Sequence, residues 1–297
     1  MAIQSISFRL HGRDFAGFAA ALGAAFERYG FAVVTDHGLD PALVAAAQDR
    51  AKAFFALPEP VKRRYLIAGA AGQRGYTPFG VETAKGEAHP DLKEFWHVGR
   101  AANVWPAEIA RFQASVGGLY AALDALGRDL LEAIAHHLGL PRDQFTPAVA
   151  DGESILRLLH YPPTAGRGPA IRAGAHEDIN AITLLLGAEE AGLELLDRDG
   201  RWLAVKPRAG ALVVNIGDML QRLTNHRLPS TTHRVVNPTP DRAGLARYSM
   251  PFFLHFAPDY LIQTLPGCVA AATPDRYPQP ITARAYLAER LAEINLA

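Results

Sequence analysis

From Asp151 onward the sequence changes character, and this change constrains the fold more than any other feature. Seven short β-prone runs follow one another, at 155–161, 182–186, 193–196, 202–205, 212–216, 231–236 and 248–256. Asp199-Gly200 between two of them is a strong hairpin signal, and Gly210 and Gly217 punctuate others. No helical pattern alternates with these runs, so this half shows no parallel βαβ alternation. No glycine-rich phosphate loop precedes a helix, and no internal repeat or low-complexity tract is present. Short strands at this spacing form a sandwich or a barrel.

The half before Asp151 reads mainly as helices. Asp14 is placed to cap a helix whose apolar stripe is Phe15, Phe18, Leu22 and Phe26, and Gly30 closes it. Residues 31–35 form a β-prone run, and Asp40-Pro41 starts a second helix that ends before Pro58. The segment 72–99 is rich in Gly, Pro and charge and reads as a long functional loop. A long helix is predicted over 106–138, stopped by Gly139-Leu140-Pro141, and a last one over 282–296 with Tyr286, Leu287, Leu291 and Ile294 as its stripe. The expected organisation is a helical region over 1–150 packed on a mainly β core at 151–258, then a C-terminal segment at 259–297, all in one compact unit.

Thirty Lys and Arg balance thirty Asp and Glu, so no basic field draws the 297-residue chain to nucleic acid or anionic lipid. The expected partner is a small molecule. The one cysteine, Cys268, cannot form an internal disulfide, which fits a reducing, cytoplasmic setting. The first residues, MAIQSISFRL, lack the pattern of a secretory signal, and the apolar stretch 15–26 is too short to span a bilayer. No membrane segment is expected.

Chemistry concentrates at His176-Glu177-Asp178, just ahead of a β-prone run. In extended backbone, residues i and i+2 point to one face, so His176 and Asp178 aim at a common point. A third ligand must come from elsewhere, and His233 lies on another predicted inner strand. Two imidazoles and one carboxylate on one face of an octahedron, with the opposite positions open, are the ligand set of non-haem Fe(II) oxygenases. Zinc is the alternative, but thiolates do not cluster here and HExxH is absent. Farther on, Arg247 and Ser249 again share a face and place a guanidinium beside a hydroxyl. A planar guanidinium offers two parallel donors to one carboxylate, which Lys does not reproduce. Such a receptor suits 2-oxoglutarate, whose far carboxylate needs neutralising inside a barrel when its keto-acid end chelates iron.

Taken in order, HED (176–178), GDML (217–220), THRV (232–235) and RYSMPFF (247–253) resemble the isopenicillin N synthase-like branch of the Fe(II)/2-oxoglutarate-dependent dioxygenases. FERYGFAVVTDHGLD (26–40) and AKAFFALPEPVKRRY (51–65) look like the N-terminal part of that family, so the resemblance covers nearly the whole chain. HEDIN (176–180) and DLKEFWHVG (91–99) look closer to its bacterial members. The resemblance implies a distorted double-stranded β-helix, or jelly roll, wrapped by the N-terminal helices. It implies iron ligation by His176, Asp178 and His233, and cosubstrate binding by Arg247, Ser249 and Tyr161. Leu159 stands where plant members carry an Asn that helps bind 2-oxoglutarate. Tyr76, Phe95, His97 and Phe253 are the implied substrate-side residues. The implied reaction uses Fe(II), 2-oxoglutarate and O2 to oxidise, by default hydroxylate, a small organic molecule, with release of succinate and CO2. Two other readings are an oxidase of the same fold that takes its electrons from the substrate, and a non-catalytic protein that holds an acidic ligand on Arg247.

Overall fold

The computed structural model describes residues 3–69, 72–82, 91–164, 172–186 and 192–293. Ile294, placed above on the last helical stripe, lies outside these, as do residues 83–90 of the predicted loop.

Strand β1 (Ser5–Ser7) and a short helix α1 (Arg9–Arg13) lead to α2 (Phe15–Tyr29). The Asp14 carboxylate accepts the Gly17 N–H at 3.0 Å, meeting one of the orphan donors of the first turn. Gly30, at φ 65°, ends α2 in the left-handed region and turns the chain directly into β2 (Phe31–Thr35). Asp40 caps α3 (Pro41–Phe55) through the Ala42 N–H, with Pro41 at the position where its missing N–H costs nothing. After α4 (Glu59–Lys62) come two strands, β3 (Gly75–Thr77) and β4 (Glu94–Gly99), inside the segment predicted as a loop. Tertiary pairing overrides composition there, because β4 lies between β3 and the first core strand with all six of its residues buried. Helix α5 (Phe112–His137) starts later than predicted, and α6 (Thr146–Ala150) completes the N-terminal part.

The core contributes β5 (Ile155–Tyr161), β6 (Ala173–His176), β7 (Ile182–Leu186), β8 (Leu193–Leu196), β9 (Trp202–Ala204) and β10 (Leu212–Ile216). After α7 (Asp218–Leu223) follow β11 (His233–Val235) and β12 (Arg247–Leu254). The hairpin pair β13 (Leu261–Ile262) and β14 (Ile281–Thr282), then α8 (Ala283–Glu293), end the described chain.

The strands form a large sheet in the order β1-β2-β10-β7-β12-β5-β4-β3 and a small one in the order β6-β11-β8-β9. Apart from the β8–β9 hairpin, core strands alternate between the two sheets along the chain, which is the double-stranded β-helix. Strands of the first 150 residues extend both sides of the large sheet, and α2, α3 and α5 pack over its outer face. Buried on both faces, β7 and β10 read as nearly continuous apolar runs. The alternation survives beneath that reading. Leu184, Leu212, Val214, Phe252 and Leu254 join the core beneath the helices, whereas Thr183, Asn215, Arg247, Ser249 and Phe253 face the barrel interior. Each fully buried Leu or Phe of the outer layer contributes roughly 1.5–3 kcal/mol. The interior is where polar side chains gather.

Candidate active site

His176 is the last residue of β6 and His233 the first of β11, and the two pair directly across the small sheet. Their ring centroids lie 4.4 Å apart. Asp178 stands in the turn just beyond β6, and its Oδ1 is 3.8 Å from the Nε2 of each histidine. One ligand atom from each of the three lies within 4.8 Å of the others, so the sequence pattern does converge on a point. The convergence is achieved by a strand end and a turn, not by one extended strand. Sequence reading overlooked β6 because Ala-Gly-Ala offers neither β-branched residues nor an apolar alternation.

The tautomers are fixed by the backbone. His176 Nδ1 lies 2.8 Å from the Gly174 carbonyl oxygen, and His233 Nδ1 lies 3.1 Å from that of Thr231. A carbonyl only accepts, so each Nδ1 carries the proton and each Nε2 keeps its lone pair for the shared point. Asp178 Oδ2 accepts from the Thr183 hydroxyl at 2.5 Å and from the Asn215 amide at 2.8 Å, which leaves Oδ1 facing the histidines. Burial pushes the Asp178 carboxyl up, but His233, His176 and the two hydrogen bonds outweigh it and hold it below the ordinary value. Burial, then the neighbouring His233, pushes His176 down. Imidazole lone pairs and an ionised carboxylate are the ligands a divalent cation requires.

The turn that carries Asp178 is clamped by the segment 217–220. Asp218 N donates to the Asp178 carbonyl at 2.7 Å, and Gly217 N to that of Ala181 at 2.9 Å. A Cβ on Gly217 would overlap the Asn180 carbonyl oxygen, so only glycine permits this approach. The Asp218 carboxyl is pushed up to about 6 by burial, and Arg290 of α8 lies 3.2 Å from it.

Two adjoining cavities meet at the triad. The smaller, of about 70 Å³, is lined by His176, Asp178, His233, Tyr161, Arg247 and Ser249. Arg247 Nη1 donates to Ser249 Oγ at 3.0 Å, and its guanidinium lies 5.1 Å from the Tyr161 ring centre. Leu159 lies on the same wall, paired in register with Ser249. The larger cavity, of about 270 Å³, also touches His176 and Asp178 and takes in His97, Arg157, Phe253 and His255.

Of the four residues assigned to the substrate side, His97 and Phe253 line this larger cavity and the other two do not. Tyr76 is a core residue, packed edge-on against Phe54, with its hydroxyl donating to Glu94 at 2.5 Å. The pairing of β3 with β4 turns it toward the helices. Phe95 packs in a small apolar cluster with Leu159, Tyr161, Ala173 and Val235. Sequence reading missed several residues altogether. Thr183 and Asn215 were visible as polar interruptions of apolar strands, and His255 as the i+2 partner of Phe253. Asp91 and Lys93 stand at i and i+2, but no linear spacing links them to Glu82 or Arg157.

A jelly roll with two histidines and an aspartate at its mouth, beside an arginine-lined interior, defines a metal-dependent oxygenase. The description "2OG-Fe(II) oxygenase superfamily" matches residues 152–256, and "non-haem dioxygenase in morphine synthesis N-terminal" matches residues 3–110. A 2-oxoglutarate-Fe(II) type oxidoreductase of Emericella nidulans is 34% identical over 283 residues, covering 86% of this chain and 78% of its own. The crystal structure of a protein described as 2OG-Fe(II) oxygenase family from Caulobacter crescentus superposes with a TM-score of 0.92 at 60% identity, covering 99% of both chains. A full-length Neurospora crassa protein, crystallised in complex with alpha-KG and thymine, superposes with a TM-score of 0.89 at 29% identity, covering 98% of this chain and 96% of its own. The chain belongs to the 2OG-Fe(II) oxygenase family. It is a non-haem Fe(II)- and 2-oxoglutarate-dependent dioxygenase. No helix among the described residues is long and apolar enough to cross a membrane.

Proposed function

We propose that His176, Asp178 and His233 hold the iron, that Arg247 and Ser249 with Tyr161 bind the far carboxylate of 2-oxoglutarate, and that a small organic molecule is hydroxylated in the larger cavity. The observation that carries this reading is the arrangement of donors. Two Nε2 lone pairs and one carboxylate oxygen meet in a space also lined by Arg247. The set fits the metal, because every partner that could compete for those three atoms is engaged on the opposite atom of the same side chain.

When bound, Fe(II) with 2-oxoglutarate and O2 supplies the oxidising power for an unactivated C–H bond. The protein's own residues do the rest. Thr183 and Asn215 fix the Asp178 carboxylate. Arg247 provides a buried fork of donors for a carboxylate, with the Ser249 hydroxyl beside it. Ile155, Ile179, Leu287 and Phe253 supply apolar surface that excludes water from the larger cavity. The balanced charge favours neither nucleic acid nor a membrane surface as partner, and the single thiol suits a cytoplasmic enzyme.

Asp178→Ala tests this reading through the conversion of 2-oxoglutarate to succinate. Turnover should fall to background, while far-UV circular dichroism stays that of the parent protein. Undiminished succinate formation by the folded variant would refute the ligand assignment.

A further inference from the structure

The wall of the larger cavity carries a group of ionised side chains that iron and cosubstrate binding leave unexplained. Lys93 Nζ lies 2.8 Å from Asp91 Oδ2 and 2.5 Å from Glu82 Oε2. Arg157 faces the same Glu82 carboxylate with both terminal nitrogens, at 3.2–3.3 Å, and donates its Nε–H to His97 Nε2 at 2.5 Å. Its guanidinium carbon lies 4.3 Å from the Phe95 ring centre and 5.3 Å from that of Phe253, which fixes the plane. Segment 72–99 and strand β5 are joined by this cluster, and all of it except Phe95 lines the cavity beside the triad.

Two features of the cluster select a ligand. Its charges cancel, two cations against two carboxylates, so the cluster offers an entering acid no excess positive charge and sets Glu82 against it. Its donors, however, are not exhausted. A guanidinium has five N–H groups and an ammonium three, and the bonds above commit three and two of them. The remaining N–H groups sit on side chains that line both cavities, next to His176 and Asp178. A hydrocarbon packed there would leave buried donors without acceptors, at about 1–3 kcal/mol each. Across the cavity wall, the His255 ring makes no hydrogen bond with a described residue, and burial keeps it neutral, its pKa lowered to about 4. A neutral imidazole both accepts and donates. At about 270 Å³ the cavity falls just below the usual range for drug-sized ligands, which suits a single ring more than a polycycle.

On the footing that this cavity takes the primary substrate, we propose that the substrate is a small, uncharged molecule of the amide, imide or lactam type. Its carbonyl oxygen accepts from Arg157 and Lys93, its N–H group faces His255, and its ring lies against Phe253. Glu82 is the specificity-determining residue that keeps carboxylates out.

The test uses the purified full chain with Fe(II) and 2-oxoglutarate, and three probe sets of similar size: glutarimide, uracil and 2-pyridone; benzoate and nicotinate; toluene and cyclohexane. Two readouts are taken, the anaerobic visible band of the iron–2-oxoglutarate complex and the rate of succinate formation in air. The uncharged carbonyl set should perturb the band and raise succinate formation at least tenfold above the other sets. Glu82→Gln, which leaves the cluster with excess positive charge, should gain at least tenfold in response to benzoate and nicotinate. Absence of the band altogether overturns the reading of the site and the inference with it. A band that forms but responds best to acids or hydrocarbons, or to none of the carbonyl set, overturns the inference alone. Because the wild-type comparison needs no variant, the outcome stands even if Glu82→Gln fails to fold.

Discussion

Thr183 and Asn215 are not ligands, yet they decide which oxygen of Asp178 faces the histidines. Each is a polar residue pointing inward from an otherwise apolar strand, at 2.5 and 2.8 Å from the same carboxylate oxygen. Hydrogen bonds to a charged group are worth about 1.5–3 kcal/mol. Asn215→Leu should therefore weaken Fe(II) binding roughly 10–100-fold, the usual effect of losing an outer partner. Anaerobic Fe(II) titration measures it, and parental affinity in the variant would show that Thr183 suffices. In the proposed reading, Arg247 acts on the cosubstrate and not on the metal. Arg247→Ala should raise the KM for 2-oxoglutarate by about 10–100-fold with a smaller change in Fe(II) affinity, and Arg247→Lys should restore only part of the loss, since an ammonium lacks the planar fork. Steady-state kinetics in 2-oxoglutarate decides it, and an unchanged KM would remove Arg247 from its role.

At the scale of elements, the boundaries read best where turn chemistry sets them. Strands β5, β7, β8 and β10 begin and end at the residues the pattern gave, because glycines and Asp-Gly pairs flank apolar runs of strand length. What could not be read was pairing. Strands β3 and β4 are defined by their seat beside β5, and a segment containing Lys93, Glu94 and His97 joins a buried sheet because each of these three side chains finds a partner there. The triad and the Arg247/Ser249 pair were legible because each rests on strand periodicity or family spacing. The cluster of Glu82, Asp91, Lys93 and Arg157 was not, since it joins residues up to 75 positions apart. Gly30 links the elements to the site. It is left-handed, and an added Cβ would overlap the Pro229 carbonyl oxygen, one strand-length before His233. Gly30→Ala should destabilise the protein by about 2–4 kcal/mol, combining backbone strain with a clash against backbone that does not yield. Urea denaturation measures this, and a loss below about 0.5 kcal/mol would contradict the account of the α2–β2 turn.

For the whole molecule, burial of neutral histidines beside the triad ties stability to pH. His255 is held near 4 by burial, against an ordinary value of about 6.5, and His97 is lowered in the same direction by burial and Arg157. The unfolded chain therefore binds more protons than the folded one in this window. Stability is fully present above the ordinary histidine value and is lost as pH falls toward 4, by on the order of 2 kcal/mol between pH 7 and pH 5 from His255 alone. Urea midpoints of the metal-free protein should show this fall, and His255→Asn should flatten it. A pH-independent midpoint over that range would contradict the burial of a neutral ring. The same barrel interior that shuts out water from these rings brings the triad and Arg247 to one cavity, and the central claim is that both ends of that cavity serve one cosubstrate. Anaerobic titration of the Fe(II)-loaded protein with 2-oxoglutarate tests it most directly. A visible charge-transfer band that saturates with 2-oxoglutarate, and that needs much more of it in Arg247→Ala, is the result expected; Fe(II) bound with no band at any 2-oxoglutarate concentration would contradict it.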